Sequence, residues 1–382
     1  MPILTKRLDK APLGIYVHVP FCRSKCQYCD FYSLTTRESS VLDSYQDAVC
    51  AHIREAGALA PGYKVDTIYF GGGTPSFFGA DGMATILTTT RRNFDVDNNA
   101  EITFEANPDS ISDKLLRRLR SEGFNRISMG IQCDDDEILK KLGRPHTYAQ
   151  AQAAYHRIRK AGFRNISVDL MYGLPGQTMD MWKRDVEEML SLHVPHLSAY
   201  SLQWEEGTPL YLMLERGEVE EASDELSRGM YEYFVKATSM HSMEHYEVSN
   251  YAMPGMRARH NSGYWRDEPY VGLGPGAHSY DGVNVRSSNP SDLQKYIMSG
   301  GMPEREVEIL DEDALYEEKV LKGLRTVGGL DLSALAPKYR EYALKMAEPH
   351  IRNGRMVQCD GVLRLTEDGI FVSNDIMSDM ML

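Results

Sequence analysis

The sequence predicts an α/β fold, a partial (β/α)6 barrel followed by a small C-terminal helical or winged-helix-like domain. Three observations carry that expectation. Strand-like and helix-like runs alternate through the first two thirds of the chain. Cysteines and polar residues collect just past the strand-like runs. The periodicity then fades from Met253 to about Gly301. Strands that alternate with helices form parallel βα units, and ligands of barrels bind at the C-terminal ends of the strands.

The strand-like runs are 14–19, 65–70, 101–105, 126–131, 165–171 and 196–201, rich in Val, Ile, Tyr and Phe. Helix-like segments at 41–58, 82–93, 112–122, 148–161 and 180–192 lie between them. In 112–122, Leu115, Leu116 and Leu119 share one helical face. Gly123 and Gly162 stand where helix C-caps belong. A further helix-like run, 224–238, precedes a strand-like 245–251. These observations divide the chain into a barrel over 1–242, a loop-rich connection over 243–303 and a tail domain over 304–382. The tail reads as helices at 313–324 and 339–353 and a strand at 362–366.

Composition narrows the function classes. The 382 residues carry 42 Lys+Arg against 55 Asp+Glu, a net charge of −13. This argues against a general nucleic-acid binder, which uses basic surface to displace phosphate counterions. No run approaches the roughly 20 apolar residues of a membrane span, which leaves peripheral membrane contact open. The first twelve residues lack the apolar core of a secretory signal. Six cysteines are too sparse for a disulfide scaffold, and the crowding of three of them indicates metal chemistry in a reducing cytoplasm.

Those three, Cys22, Cys26 and Cys29, follow the first strand directly. A structural zinc site needs four ligands at short paired spacing, and the next cysteine, Cys50, lies on a separate helix-like run. A [4Fe–4S] cluster with three protein thiolates and one open iron fits better. Gly71-Gly72-Gly73-Thr74-Pro75 follows the second strand, where glycines admit a ligand close to the backbone or simply make a tight turn. Glu105, Gln132 and Asp169 stand at or near successive strand ends, with Arg144 beyond the fourth. An acid there would hold ribose hydroxyls or cap the next helix, and Arg144 would grip a carboxylate with both arms.

The C-x3-C-x2-C spacing resembles that of radical S-adenosylmethionine proteins. The resemblance implies that S-adenosylmethionine chelates the open iron and that an electron from the cluster releases a 5′-deoxyadenosyl radical. The protein then supplies orientation and exclusion of water. Tyr16-Val17-His18-Val19-Pro20-Phe21-Cys22, Gly71–Pro75, Glu105-Ala106-Asn107-Pro108, Ser128-Met129-Gly130-Ile131-Gln132 and Asp169-Leu170-Met171-Tyr172-Gly173-Leu174-Pro175 resemble the oxygen-independent coproporphyrinogen III oxidase family over most of the chain. Carried over residue by residue, the resemblance places Tyr16, Gly72, Gly73, Thr74, Glu105, Gln132, Arg144 and Asp169 in the S-adenosylmethionine pocket. Tyr28 would pack against that cofactor, and no catalytic residue is assigned.

Within that family the chain takes a side. Oxidases carry a further Cys two residues after the third ligand and a longer N-terminal extension; here Phe31 holds that position and 13 residues precede Gly14. His260-Asn261-Ser262-Gly263-Tyr264-Trp265 instead resembles the HNxxYW motif of the haem chaperones called HemW. The resemblance implies haem as a further ligand, a haem-acceptor protein as partner, and His260 as the axial imidazole. Tyr264 and Trp265 offer flat apolar surface to a porphyrin. Active decarboxylation of coproporphyrinogen III is the alternative. His278, within Gly274-Pro275-Gly276-Ala277-His278, is a second candidate ligand without an assigned role.

Overall fold

The computed structural model describes Leu4 and residues 10–382. The segment read as free of a secretory signal lies mostly outside the described residues. Six strands run parallel in chain order: β1 (Ala11–Val19), β2 (Tyr63–Gly72), β3 (Val96–Ala106), β4 (Arg126–Gln132), β5 (Asn165–Tyr172) and β6 (His196–Ser201). Each is followed by helix, and the sheet is open because β6 pairs with a later antiparallel strand, Asn250–Ala252, instead of closing onto β1. This is the expected α/β arrangement of a partial barrel.

Alternation along the strands divides two environments. Ile15, Val17, Ile68, Phe70, Ile102, Phe104, Ile127, Met129, Ile166 and Val168 are buried in the main apolar core. The intervening positions are polar: Tyr16 and His18, Thr67 and Tyr69, Glu101 and Glu105, Arg126 and Ser128, Ser167 and Asp169. The register aligns them across the sheet, with Tyr16 beside Tyr69, Glu105 beside Ser128 and Asp169 beside Ser198. The apolar face packs under the helices and the polar face lines the cavities described below.

The helix Asp113–Ser121 shows the local logic. The Ser112 side chain accepts from the Leu115 N–H at its start, and Arg118 and Arg120 stand in its last turn, where the helix dipole favours cations. Gly123 follows at φ +95°, a left-handed turn that costs a glycine little. Leu115, Leu116 and Leu119 bury the stripe, each contributing about 1.5–3 kcal/mol by its removal from water.

The stretch expected to be a loop-rich connection is different. The single strand expected at 245–251 is a pair, β7 (Glu244–Glu247) and β8 (Asn250–Ala252), with β8 antiparallel to β6. Beyond a short helix, Arg259–Trp265, come β9 (Tyr270–Leu273), β10 (His278–Tyr280) and β11 (Val285–Ser288). β9 pairs parallel with β1, and β10, β11 and β12 (Glu306–Ile309) continue outward to make one twelve-stranded sheet. Runs of three or four residues between glycines are too short to show a period of two, so the sequence pattern does not reveal them.

β12 also places the start of the expected tail domain on the large sheet. A separate core then gathers Tyr316, Val320, Leu324, Leu330, Leu363 and Ile376. It joins helices Glu312–Leu324 and Pro337–Arg352 to a small antiparallel sheet of β13 (Leu330–Asp331), β14 (Met356–Cys359) and β15 (Val362–Leu365). That is a helical unit with a wing. Among the described residues no helix is long and apolar enough to cross a membrane.

Candidate functional site

The cysteine loop leaves the C-terminal end of β1 and is closed at its neck. The Cys22 N–H donates to the Leu34 carbonyl (2.9 Å) and the Leu34 N–H to that of Pro20 (2.6 Å). At its far end, the Gln27 N–H donates to the Leu142 carbonyl, and the Gln27 carbonyl accepts from the Leu210 N–H. Arg23 reaches Asp109 at 3.1 Å. These bonds curl three thiols around one side of a cavity of about 440 Å³.

Most of the expected cofactor pocket meets in that cavity. Its walls include Cys22, Cys26, Cys29, Tyr28, Gly72, Gly73, Thr74, Glu105, Gln132, Arg144 and Asp169. Gly73 brings the β2 turn against the loop: its N–H donates to the Val19 carbonyl, and a Cβ there would lie 2.8 Å from the carbonyl oxygens of Val19 and Phe21. Gly72 has φ +103°, and a Cβ would sit 2.4 Å from the His18 ring. Both positions require glycine for room.

A chain of hydrogen bonds links two of the cysteines. Thr74 Oγ1 donates to Cys22 Sγ (3.5 Å), Asn107 Nδ2 to Thr74 Oγ1 (3.2 Å), Arg144 Nη2 to Asn107 Oδ1 (2.8 Å) and Arg144 Nη1 to Cys26 Sγ (3.4 Å). Arg144 Nη2 also donates to the Gly130 carbonyl (2.6 Å), while its buried Nε has no protein partner. Asn107 is the member that sequence reasoning left without a role. It lies two residues past Glu105, so strand alternation was the available signal.

Gln132 reaches the cavity through a distorted backbone. It has φ +77°, and the β4–β5 register slips between Gly130 and Gln132, a bulge that re-aims the side chain. Glu105 accepts from the Tyr69 hydroxyl (2.8 Å) and the Gly72 N–H (3.0 Å), yet burial pushes its carboxyl up to about 7. Burial also raises Asp169, partly offset by the hydroxyls of Ser198 and Ser128.

The donor set suits the implied cluster. Burial raises the Cys22 thiol and pushes Cys29 up to about 11, so thiolates here need a compensating positive charge. A metal cluster supplies such charge, and the Arg144 guanidinium adds more beside Cys26. Among the described residues no three His, Cys, Asp or Glu side chains converge on a single metal ion. The unpaired Arg144 Nε and the glycine-walled floor fit a polar ligand beside the thiols.

One residue expected in the S-adenosylmethionine pocket falls elsewhere. Tyr16 lines a neighbouring cavity of about 870 Å³ together with His260, the expected haem ligand; this cavity shares Glu105 and Tyr200 with the first and extends to Arg325 and Phe371. The Tyr16 hydroxyl meets His18 Nδ1 at 3.1 Å. His260 is buried, with Nδ1 at 2.9 Å from Thr67 Oγ1 and Nε2 at 2.8 Å from the Tyr264 hydroxyl. Burial lowers its pKa to about 3, so the ring is neutral. Neutral imidazole is the form that ligates iron, but both nitrogens are engaged. Glu101 on β3 accepts from the N–H groups of Arg259 and His260, fixing the helix Arg259–Trp265.

Residues 16–189 match the sequence profile of the Radical SAM superfamily. The heme chaperone HemW of Lactococcus lactis is 34% identical over 376 residues, covering 97% of this chain and 98% of that protein. The chain belongs to the HemW family. The Escherichia coli heme chaperone HemW is 31% identical over 371 residues, covering 96% of this chain and 97% of its own length. The coproporphyrinogen III oxidase HemN from Escherichia coli shares the fold, with a TM-score of 0.84 at 22% identity, over 98% of this chain and 91% of that one. The HemW hexapeptide here presents Tyr264 and Trp265 to the cavity of about 870 Å³ and also to a third, of about 570 Å³, that abuts Asp30 and Phe31 of the cysteine loop.

Proposed function

We propose that this protein is a cytoplasmic haem chaperone that binds haem against the 260–265 hexapeptide and passes it to an acceptor protein. The observation that carries the reading is the position of Tyr264 and Trp265. They line two cavities, the smaller abutting Asp30 and Phe31 of the cysteine loop and the larger extending from the barrel to the tail domain. Flat aromatic walls suit a macrocycle. The name shared by the bacterial relatives supports the same reading.

Cys22, Cys26 and Cys29 would hold a [4Fe–4S] cluster. Gly72, Gly73, Thr74, Glu105, Gln132, Arg144 and Asp169 would hold S-adenosylmethionine, with Tyr28 packed beside it and Tyr16 behind the shared wall. When bound, the cluster and cofactor supply one-electron chemistry. The chain's own groups orient and shield: Glu105 accepts hydroxyl donors, Arg144 balances thiolate charge, and Asn107 sets the fork of Arg144. In a carrier, this pair governs assembly or transfer rather than turnover.

The alternative is oxidative decarboxylation of coproporphyrinogen III, which the HemN fold favours and Phe31 opposes. One paired experiment separates them. Anaerobically reconstituted protein is titrated with haem and incubated with coproporphyrinogen III and S-adenosylmethionine. The chaperone reading expects a stoichiometric Soret band and no decarboxylated product; product formation overturns it.

A further inference from the structure

Three histidines stand near the aromatic walls, and two are already satisfied. His18 Nδ1 meets the Tyr16 hydroxyl and its Nε2 lies 2.9 Å from the Tyr32 carbonyl. His260 is engaged at both nitrogens. His278, at the start of β10, is exposed, and among the described residues neither of its ring nitrogens has a hydrogen-bond partner.

His278 lines the cavity of about 570 Å³, whose walls also include Tyr32, Tyr264, Trp265, Tyr270 and Phe31. The backbone on either side of His278 is closely packed. A Cβ at Gly272 would stand 2.0 Å from the His278 carbonyl oxygen, and Gly276 turns at φ +73° against Ser291. Arg286 and Lys322 stand over the Tyr280 ring, 5.7 and 4.9 Å from its centroid. Glu318 pairs with both and Asp267 with Lys322, so this wall carries little excess charge. The aromatic walls therefore suit a flat ligand, with Arg286 and Lys322 at the edge already paired.

We propose that His278 supplies the axial imidazole to haem iron in this cavity, and that His260 is a positioning residue acting through Tyr264. This rests on the haem-chaperone reading and assigns the ligand within it. An iron ligand needs a free lone pair with open approach, which His278 has and the other two lack. His260 holds the Tyr264 hydroxyl, which orients the ring that forms part of the cavity wall. The hexapeptide, on its helix, and His278, on β10, then act on the same macrocycle.

The test uses the full, cluster-reconstituted chain and ferric haem, with optical titration and electron paramagnetic resonance as readouts. His278→Ala is expected to lose the imidazole-ligation signature and to bind haem about tenfold or more weakly, the scale of one strong lost contact. Free imidazole is expected to restore the signature. His260→Gln, whose amide reaches the Nε2 position beside the Tyr264 hydroxyl, is expected to retain it. Because His278 is exposed and makes no side-chain hydrogen bond, unchanged circular dichroism and cluster absorbance should accompany its replacement. A wild-type spectrum in His278→Ala, or loss of imidazole ligation in His260→Gln with His278 intact, overturns the assignment. Absence of any Soret band in the unsubstituted protein would instead fail the haem reading itself.

Discussion

The Arg144 guanidinium donates to Cys26 Sγ at 3.4 Å, joining residues 118 positions apart in sequence. Its other arm holds Asn107 and the Gly130 carbonyl, so one buried cation ties β3, β4 and the cysteine loop together.

Arg144→Ala is expected to destabilise the fold by about 3 kcal/mol, because it leaves buried acceptors without their donor. Arg144→Lys keeps the charge but loses the two-armed geometry and is expected to recover only part of it. Thermal melts, together with cluster absorbance per chain after reconstitution, measure both effects. An unperturbed cluster yield in Arg144→Ala would refute the charge-balancing role.

Replacement of Cys22, Cys26 or Cys29 by Ser is expected to abolish iron and sulfide retention. Cys50→Ser, Cys133→Ser and Cys359→Ser are expected to preserve it, since none of these lines the thiol cavity. Iron and sulfide analysis of the six variants decides the ligand set.

Glu105 gives a pH dependence of definite sign. Its folded carboxyl is pushed up to about 7 by burial, above the unfolded value. The stability it contributes is full below the unfolded value and is lost as pH rises through 7. Glu105→Gln removes that titration. Between about pH 5 and pH 8, the melting temperature of the unsubstituted, ligand-free protein is expected to fall relative to the variant's. Parallel curves would show that Glu105 is not the titrating group.

Gly72→Ala and Gly79→Ala separate strain from crowding. Both glycines have positive φ, but a Cβ at Gly79 meets nothing within 4 Å whereas one at Gly72 meets the His18 ring. Gly79→Ala is expected to cost about 1–3 kcal/mol of backbone strain. Gly72→Ala should cost more and should also weaken S-adenosylmethionine binding, measured by calorimetry on reconstituted protein.

Much of the site was legible because strand alternation is local. Glu105 and Asp169 lie on the polar face of their strands, and most of the residues carried over from the family motifs do line one cavity with the three cysteines. The placement of Tyr16 was not legible, nor was the helix that carries His260 in a stretch expected to be loop-rich. Tyr16 comes from the expected strand, but the wall between two cavities is built by side chains from several strands, and no single strand reports it. β9 to β12 were hidden for a related reason. Each is too short for its own period, and each becomes a strand only by pairing with a neighbour.

The sequence by itself therefore determined the βα alternation, the cysteine loop at the end of β1 and the polar residues at the strand ends. These depend on side-chain periodicity and on residues close in the chain. Only the tertiary structure decided that Asn107 and Arg144 bridge two cysteines, that His260 is closed by Thr67 and Tyr264, and that His278 stands open beside Tyr264 and Trp265. The physical reason is that hydrogen-bond satisfaction and solvent access belong to groups distant in sequence, brought together only when the sheet assembles.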